Sequence, residues 1–187
     1  MKNELGTGVS VGGQAIAGGK AMGAVAVKNI YRFEAYDPQG NLKWVEEVEN
    51  LVTNAGLDDL LDKYLKGSSY SAAFYVGLTD GTPTAAAGDT MSSHAGWTEV
   101  TAYDEATREA LTLGSVSSQS VDNSASKASF TISTNSTTVG GAFVCTNSTK
   151  GGTSGTLYSV AAFSAGDKSL DDGDTLNVTV TCTAAAA

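Results

Sequence analysis

The groups able to do chemistry in this 187-residue chain are few: one histidine, His94, two cysteines, Cys145 and Cys182, and scattered carboxylates. His94 lies in Ser92-Ser93-His94-Ala95-Gly96-Trp97, and a serine hydrolase would need it paired with an activated serine and an orienting carboxylate. No Gly-x-Ser-x-Gly elbow occurs in the chain, so His94 reads as a loop histidine. One histidine and two cysteines far apart in sequence do not make a tetrahedral zinc site, which favours paired ligands at close spacing. Asp167, Asp171, Asp172 and Asp174 could offer oxygens to calcium, but the twelve-residue loop pattern and its closing Glu are missing, so they read as a solvated turn before the last strand. Paired carboxylates such as Glu99 and Asp104 could serve a polymer hydrolase, and such pairs arise readily by chance in an acidic chain.

The stretch from Gly13 to Lys20 superficially suggests a phosphate loop. Gln14 stands where the first glycine belongs and Ala21 where the magnesium-binding Ser or Thr belongs, so the motif fails. Asn135-Ser136-Thr137, Asn147-Ser148-Thr149 and Asn177-Val178-Thr179 fit the glycosylation acceptor pattern, but no secretory signal accompanies them and they are read as unmodified. The expectation is no catalytic, cofactor-binding or metal-binding residue, no cofactor, and no enzymatic activity.

The elements that would position these residues are mostly strands. Tyr31, Phe33 and Ala35 alternate along residues 29–36, and Leu42, Trp44 and Val48 along residues 42–48, with Asp37-Pro38-Gln39-Gly40-Asn41 between them. Proline presets a turn's first position and glycine supplies the permissive one, so residues 29–48 are expected to form a hairpin. Over residues 54–66 the period changes: Leu57, Leu60, Leu61, Tyr64 and Leu65 fall on one helical stripe. Thr53 or Asn54 can cap its start, and Lys63, Lys66 and Gly67 mark its finish. Further strands are expected at residues 72–79 and near 106–116, 126–133, 138–146, 156–163 and 175–183, with a loop over 80–98. Cys145 and Cys182 sit in apolar, Thr-rich strand-like runs and are expected to be buried and reduced, although a disulfide is geometrically conceivable.

This spacing of short strands predicts a mainly β fold, an antiparallel β-sandwich or jelly roll with one amphipathic helix. Residues 1–28 hold seven of the 22 glycines and show neither period, so they read as a Gly-rich extended arm, with residues 29–187 as the body. The arm is expected to stay free or to be ordered by a neighbouring subunit. Three lysines against one glutamate give it a net charge of +2, which leaves −11 on the rest of a chain whose formal charge is −9. An acidic body cannot displace counterions from phosphates, so direct nucleic-acid binding is not expected. Only 17% of residues are charged, a sparse surface that suits packing against neighbours. No continuous apolar run suggests a membrane span or a signal peptide, and synthesis in the cytoplasm is expected.

One resemblance adds to this reading. Asn50-Leu51-Val52-Thr53-Asn54-Ala55-Gly56-Leu57 with the Leu-rich helix, then Phe74-Tyr75-Val76-Gly77-Leu78-Thr79-Asp80-Gly81, resembles virion structural proteins of tailed bacteriophages. So do Asp89 to Glu99, Tyr103-Asp104-Glu105-Ala106-Thr107-Arg108, Val139-Gly140-Gly141-Ala142-Phe143 and Gly155-Thr156-Leu157-Tyr158-Ser159, and the resemblance covers residues 48–183. The resemblance implies a non-enzymatic virion surface component. Its first form is a capsid decoration or cement protein that binds the major capsid protein and copies of itself on the outer surface, often as a trimer in that family. The alternative it leaves open is a tail, neck or fibre-associated protein involved in attachment, where Trp44, Trp97 or tyrosines could touch host glycans.

Overall fold

The computed structural model describes residues 25–68 and 73–186. The part of the expected arm before Val25, including Gly13 to Lys20, lies outside the described residues. In chain order the elements are β1 (Val25–Tyr36), β2 (Leu42–Val52), α1 (Asn54–Leu60) running into a π-helical turn (Leu61–Leu65), β3 (Tyr75–Thr79), β4 (Glu109–Ala110), β5 (Ser120–Asp122), β6 (Ala128–Thr131), β7 (Thr137–Val139), β8 (Gly141–Cys145), β9 (Leu157–Ala162), β10 (Lys168–Leu170) and β11 (Thr175–Ala186). The fold is mainly β, as the alternation predicts, with one short helix.

One sheet pairs antiparallel in the order β4-β3-β8-β9-β2-β1-β11-β5, with β6 also on β11; β10 and β7 form a separate ribbon. β1 lies against β11 over its whole length, from Val25 opposite Ala186 to Tyr36 opposite Thr175. β2 gives the sheet its curl, because it pairs with β1 up to Glu49 and with β9 from Asn50 to Val52. The two halves fold over one core, a sandwich-like arrangement in which Tyr31, Phe33, Phe130, Leu176 and Val178 of one half meet Val76, Leu78, Ala142 and Val144 of the other. The rings of Phe33 and Phe163 meet edge to face at 4.6 Å.

The turn at Asp37 to Asn41 forms as expected: Asp37 accepts from the backbone N–H groups of Gln39 and Asn41, and Gly40 takes φ +82°, a conformation that suits glycine. Tyr31, Phe33 and Ala35 are fully buried, and Val48 is buried on β2. Leu42, expected on the same inward face, is exposed instead, because a register shift between Ala35 and Tyr36 interrupts the ladder at the hairpin end.

β8 is buried on both faces. Its Ala142 and Val144 point into the sandwich, whereas Phe143 and Cys145 join Met91, Trp97, Leu157 and Val160 in a second cluster. That cluster is roofed by the segment after Asp80, expected as a loop and found without strands but firmly tied. Asp80 and Thr98 bond each other through their backbones, and the Asp80 carboxylate also accepts from Thr98 N at 2.6 Å. Gly77 leaves room for the Phe143 ring, which a Cβ there would meet at 2.3 Å.

Several boundaries differ from the sequence reading. β1 begins at Val25, four residues earlier, because β11 extends beside it through Ala186. Residues 106–116 yield only the two-residue β4, and β5 and β10 lie outside the expected runs. Each of these three strands has two or three residues, too few to set up a period, and is held by a longer or equally short partner.

Candidate functional site

The densest group of polar chemistry lies around Arg108, whose side chain is fully buried. Its Nε and Nη2 bond the two carboxylate oxygens of Glu99 at 2.8 and 2.6 Å, Nη2 also donates to Gly152 O, and Nη1 donates to Asn147 O and Cys145 Sγ. These contacts account for all five guanidinium N–H groups. Burial opposes the charge on Arg108, but the bonds and charge of Glu99 outweigh it and hold its pKa above the usual value. Glu99 also accepts from Gly151 N, so its carboxylate is occupied from two sides. Lys150 completes the fastening by donating to Tyr103 O and Glu105 O across the Tyr103 ring. The cluster is thus a clamp that fixes residues 147–152 to residues 99–108. Every guanidinium N–H and both Glu99 oxygens are engaged within the protein.

This geometry answers the carboxylate pair raised from sequence. Glu99 is bound to Arg108, while Asp104 is exposed and anchors the chain through its backbone N–H to Thr131 O. Arg108 itself carried no chemical signal in the sequence, since a buried arginine is recognisable only once its carboxylate and carbonyl partners are in place.

His94 stacks on Trp97 with ring centroids 3.7 Å apart, and Phe143 covers Trp97 from another side at 5.0 Å. Burial lowers the His94 pKa, with Asp89 opposing weakly. With His94 against it, Trp97 offers no open aromatic face for a sugar. Trp44 is half-buried against Phe163, with the Lys168 ammonium 5.9 Å from its ring.

Cys145 and Cys182 are both free thiols; Cys145 is buried and Cys182 half-buried, and burial raises both, Cys182 to about 11. Asp167 accepts from Thr82 Oγ1 and Asp171 from Ser136 N. Asp174 departs from the expected solvated turn: it is 2% exposed and ion-paired with Lys43. Among the described residues no three His, Cys, Asp or Glu side chains group as metal ligands would. Of the three glycosylation-pattern asparagines, Asn135 accepts from Asp172 N, Asn147 from Thr149 N, and Asn177 lies within β11.

A different feature stands open. Where β2 leaves β1 to join β9, the two halves of the sandwich splay. Asn29 N, which has lost its ladder partner there, bonds the Asn50 side-chain oxygen at 3.2 Å instead. The wedge between the halves is a cavity of about 440 Å³ with a largely apolar wall that includes Phe74, Leu111, Val121, Val144 and Val180, with Leu60 and Tyr64 at its helix side.

α1 is set across β9 by Thr53, whose Oγ1 accepts from Gly56 N at 3.0 Å and whose backbone N–H donates to Tyr158 O. Gly56 is the buried residue of the helix, and a Cβ there would come within 2.5 Å of Tyr158 O. The helix therefore docks through its glycine side. Its leucine stripe does not enter the core: Leu61 is 53%, Leu65 72% and Tyr64 81% exposed. No helix among the described residues is long and apolar enough to cross a membrane. Comparison with protein-family models, curated proteins and solved structures finds no match to this chain.

Proposed function

We propose that this protein is a non-enzymatic structural component of a tailed-bacteriophage virion, a capsid decoration or cement protein that binds the major capsid protein at the outer surface of the head and contacts copies of itself. The observation that carries the reading is the row Leu57, Leu61 and Leu65 on the helix and its π-helical turn, which no described residue covers. Exposed apolar side chains grouped on one short element mark a contact site. Burying each large side chain against a partner contributes about 1.5–3 kcal/mol, and symmetry repeats that gain at every copy.

Two further features support it. The resemblance to virion proteins runs through the segment that builds this helix, from Asn50 onward. The side chains the sequence singles out for acid–base work, Glu99 and His94, are tied to Arg108 and stacked on Trp97 respectively.

Cryo-electron microscopy of particles assembled with and without the protein tests the proposal. Shell-surface density that disappears with the protein, together with lost heat resistance, is the expected result. Immunogold label on the tail or neck would transfer the reading to the attachment alternative. Turnover of a defined polymer by the purified protein, abolished in Glu99→Gln, would end it.

A further inference from the structure

The open end of the sandwich raises the question of what fills it. Three properties of the cleft restrict the answer. Its wall is apolar and contributed by both halves of the sheet, with Val144 and Phe74 facing Val121 and Val180. At its floor Asn29 is fully buried; its Nδ2 donates to Ser159 Oγ, and its Oδ1 has no hydrogen-bond partner among the described residues. A buried acceptor without a donor is destabilising, and an occupant that brings an N–H group as well as apolar surface would satisfy it. Its helix side carries Asp59, which has no ion pair among the described residues.

A polypeptide segment satisfies all three, and one leaves the fold beside the cleft. Asn29 lies on β1, whose chain continues backwards to Val25, four residues of strand or about 13 Å away. Val25 is 70% exposed and falls on the same face of the strand as Asn29, so the apolar lining continues along β1 towards the exit point. Before it come Ala15-Ile16-Ala17 and Ala21-Met22-Gly23-Ala24, with Gly18-Gly19 and Lys20 between them. From Ile16 to Val25 is nine residues, about 30 Å when extended, enough to turn back at a glycine and reach the wedge. Residues 1–24 carry Lys2 and Lys20 against Glu4, a net +1 facing a body of net charge −10.

We infer that the cleft between the two halves of the sandwich is the docking site for the chain's own N-terminal segment, with the apolar residues around Ile16 and Met22 seated against Leu60, Tyr64 and Leu111 and a backbone N–H meeting Asn29 Oδ1. Leu61 and Leu65 do not line the cleft and stay outward of this site. The inference does not depend on the virion reading and can fail separately from it.

The full-length protein tests it. Ile16 is replaced by the photo-crosslinker p-benzoylphenylalanine, the dilute protein is irradiated, and the crosslinked peptides are identified by mass spectrometry. Crosslinks to cleft residues in the monomer band are expected. Crosslinks confined to a dimer band would assign the cleft to a second copy and overturn the inference, as would an absence of cleft crosslinks or a small apolar molecule retained in the cleft by native mass spectrometry. A second readout uses Cys182, which lines the cleft. Ile16→Asp combined with Met22→Asp should raise its maleimide labelling rate severalfold with an unchanged circular dichroism spectrum; an unchanged rate would also overturn the inference.

Discussion

Arg108 is the largest of the fully buried side chains among the described residues. Its charge is removed from water and every donor is spent, so cutting it away leaves Glu99 buried at 8% exposure with no counter-ion. Arg108→Met is expected to destabilise by about 3–5 kcal/mol, measured by chemical denaturation. Arg108→Met combined with Glu99→Leu should recover part of that loss, because an apolar pair of similar size avoids the desolvation of an unpaired carboxylate.

Two other residues give opposite signs against pH. His94 has its folded pKa lowered by burial beside Trp97, so protonation favours the unfolded chain. Its contribution is complete above the ordinary histidine value of 6.5 and declines as pH falls through that value towards the folded one. Glu109 is raised, by burial first and by Glu105 second, so its contribution is complete below the ordinary value of 4.5 and is lost as pH rises through the folded value. Accordingly, His94→Gln should lessen the drop in Tm between pH 7 and pH 5, and Glu109→Gln should raise Tm at pH 7 with the gain vanishing near pH 4. Calorimetry across that range checks both.

At the scale of elements, the helix and the long loop are held by close backbone approaches and a cap. Thr53 bonds the helix N-terminus and the β9 carbonyls at once, so Thr53→Ala should cost about 1–2 kcal/mol. Gly140 has a different role: a Cβ there would lie 1.9 Å from the carbonyl carbon of Gly81, where β8 passes under the loop that begins at Asp80. Neither backbone can yield without breaking the Gly140 N to Thr79 O bond. Gly140→Ala is therefore expected to cost about 3 kcal/mol or more and to expose Trp97, visible as a red shift of its fluorescence.

At the scale of the molecule, the helix row separates stability from assembly. Leu61 and Leu65 are exposed, so Leu61→Asp and Leu65→Asp should change stability by no more than about 0.5 kcal/mol. If the row is the capsid contact, both variants fail to bind particles in a co-sedimentation assay. Binding at the level of the parent chain would remove the helix from the interface.

Local patterns in the chain determined the local structure. The alternation of Tyr31, Phe33 and Ala35, the turn built on Asp37 and Gly40, the helical period from Leu57 to Leu65 and the scarcity of chemical groups were all legible, because each is written within a few consecutive residues. Tertiary structure alone decided which face of the helix meets the body. The leucine stripe has the period of a core face, yet Gly56 docks, since only a residue without a Cβ allows the helix to sit on Tyr158 O. The pairing of Arg108 with Glu99, the burial of Asp174 beside Lys43 and the strands β5 and β10 likewise depend on partners distant in sequence. The cleft belongs to the same class: it exists because β2 changes partners at Asn50, a register event that no local period encodes.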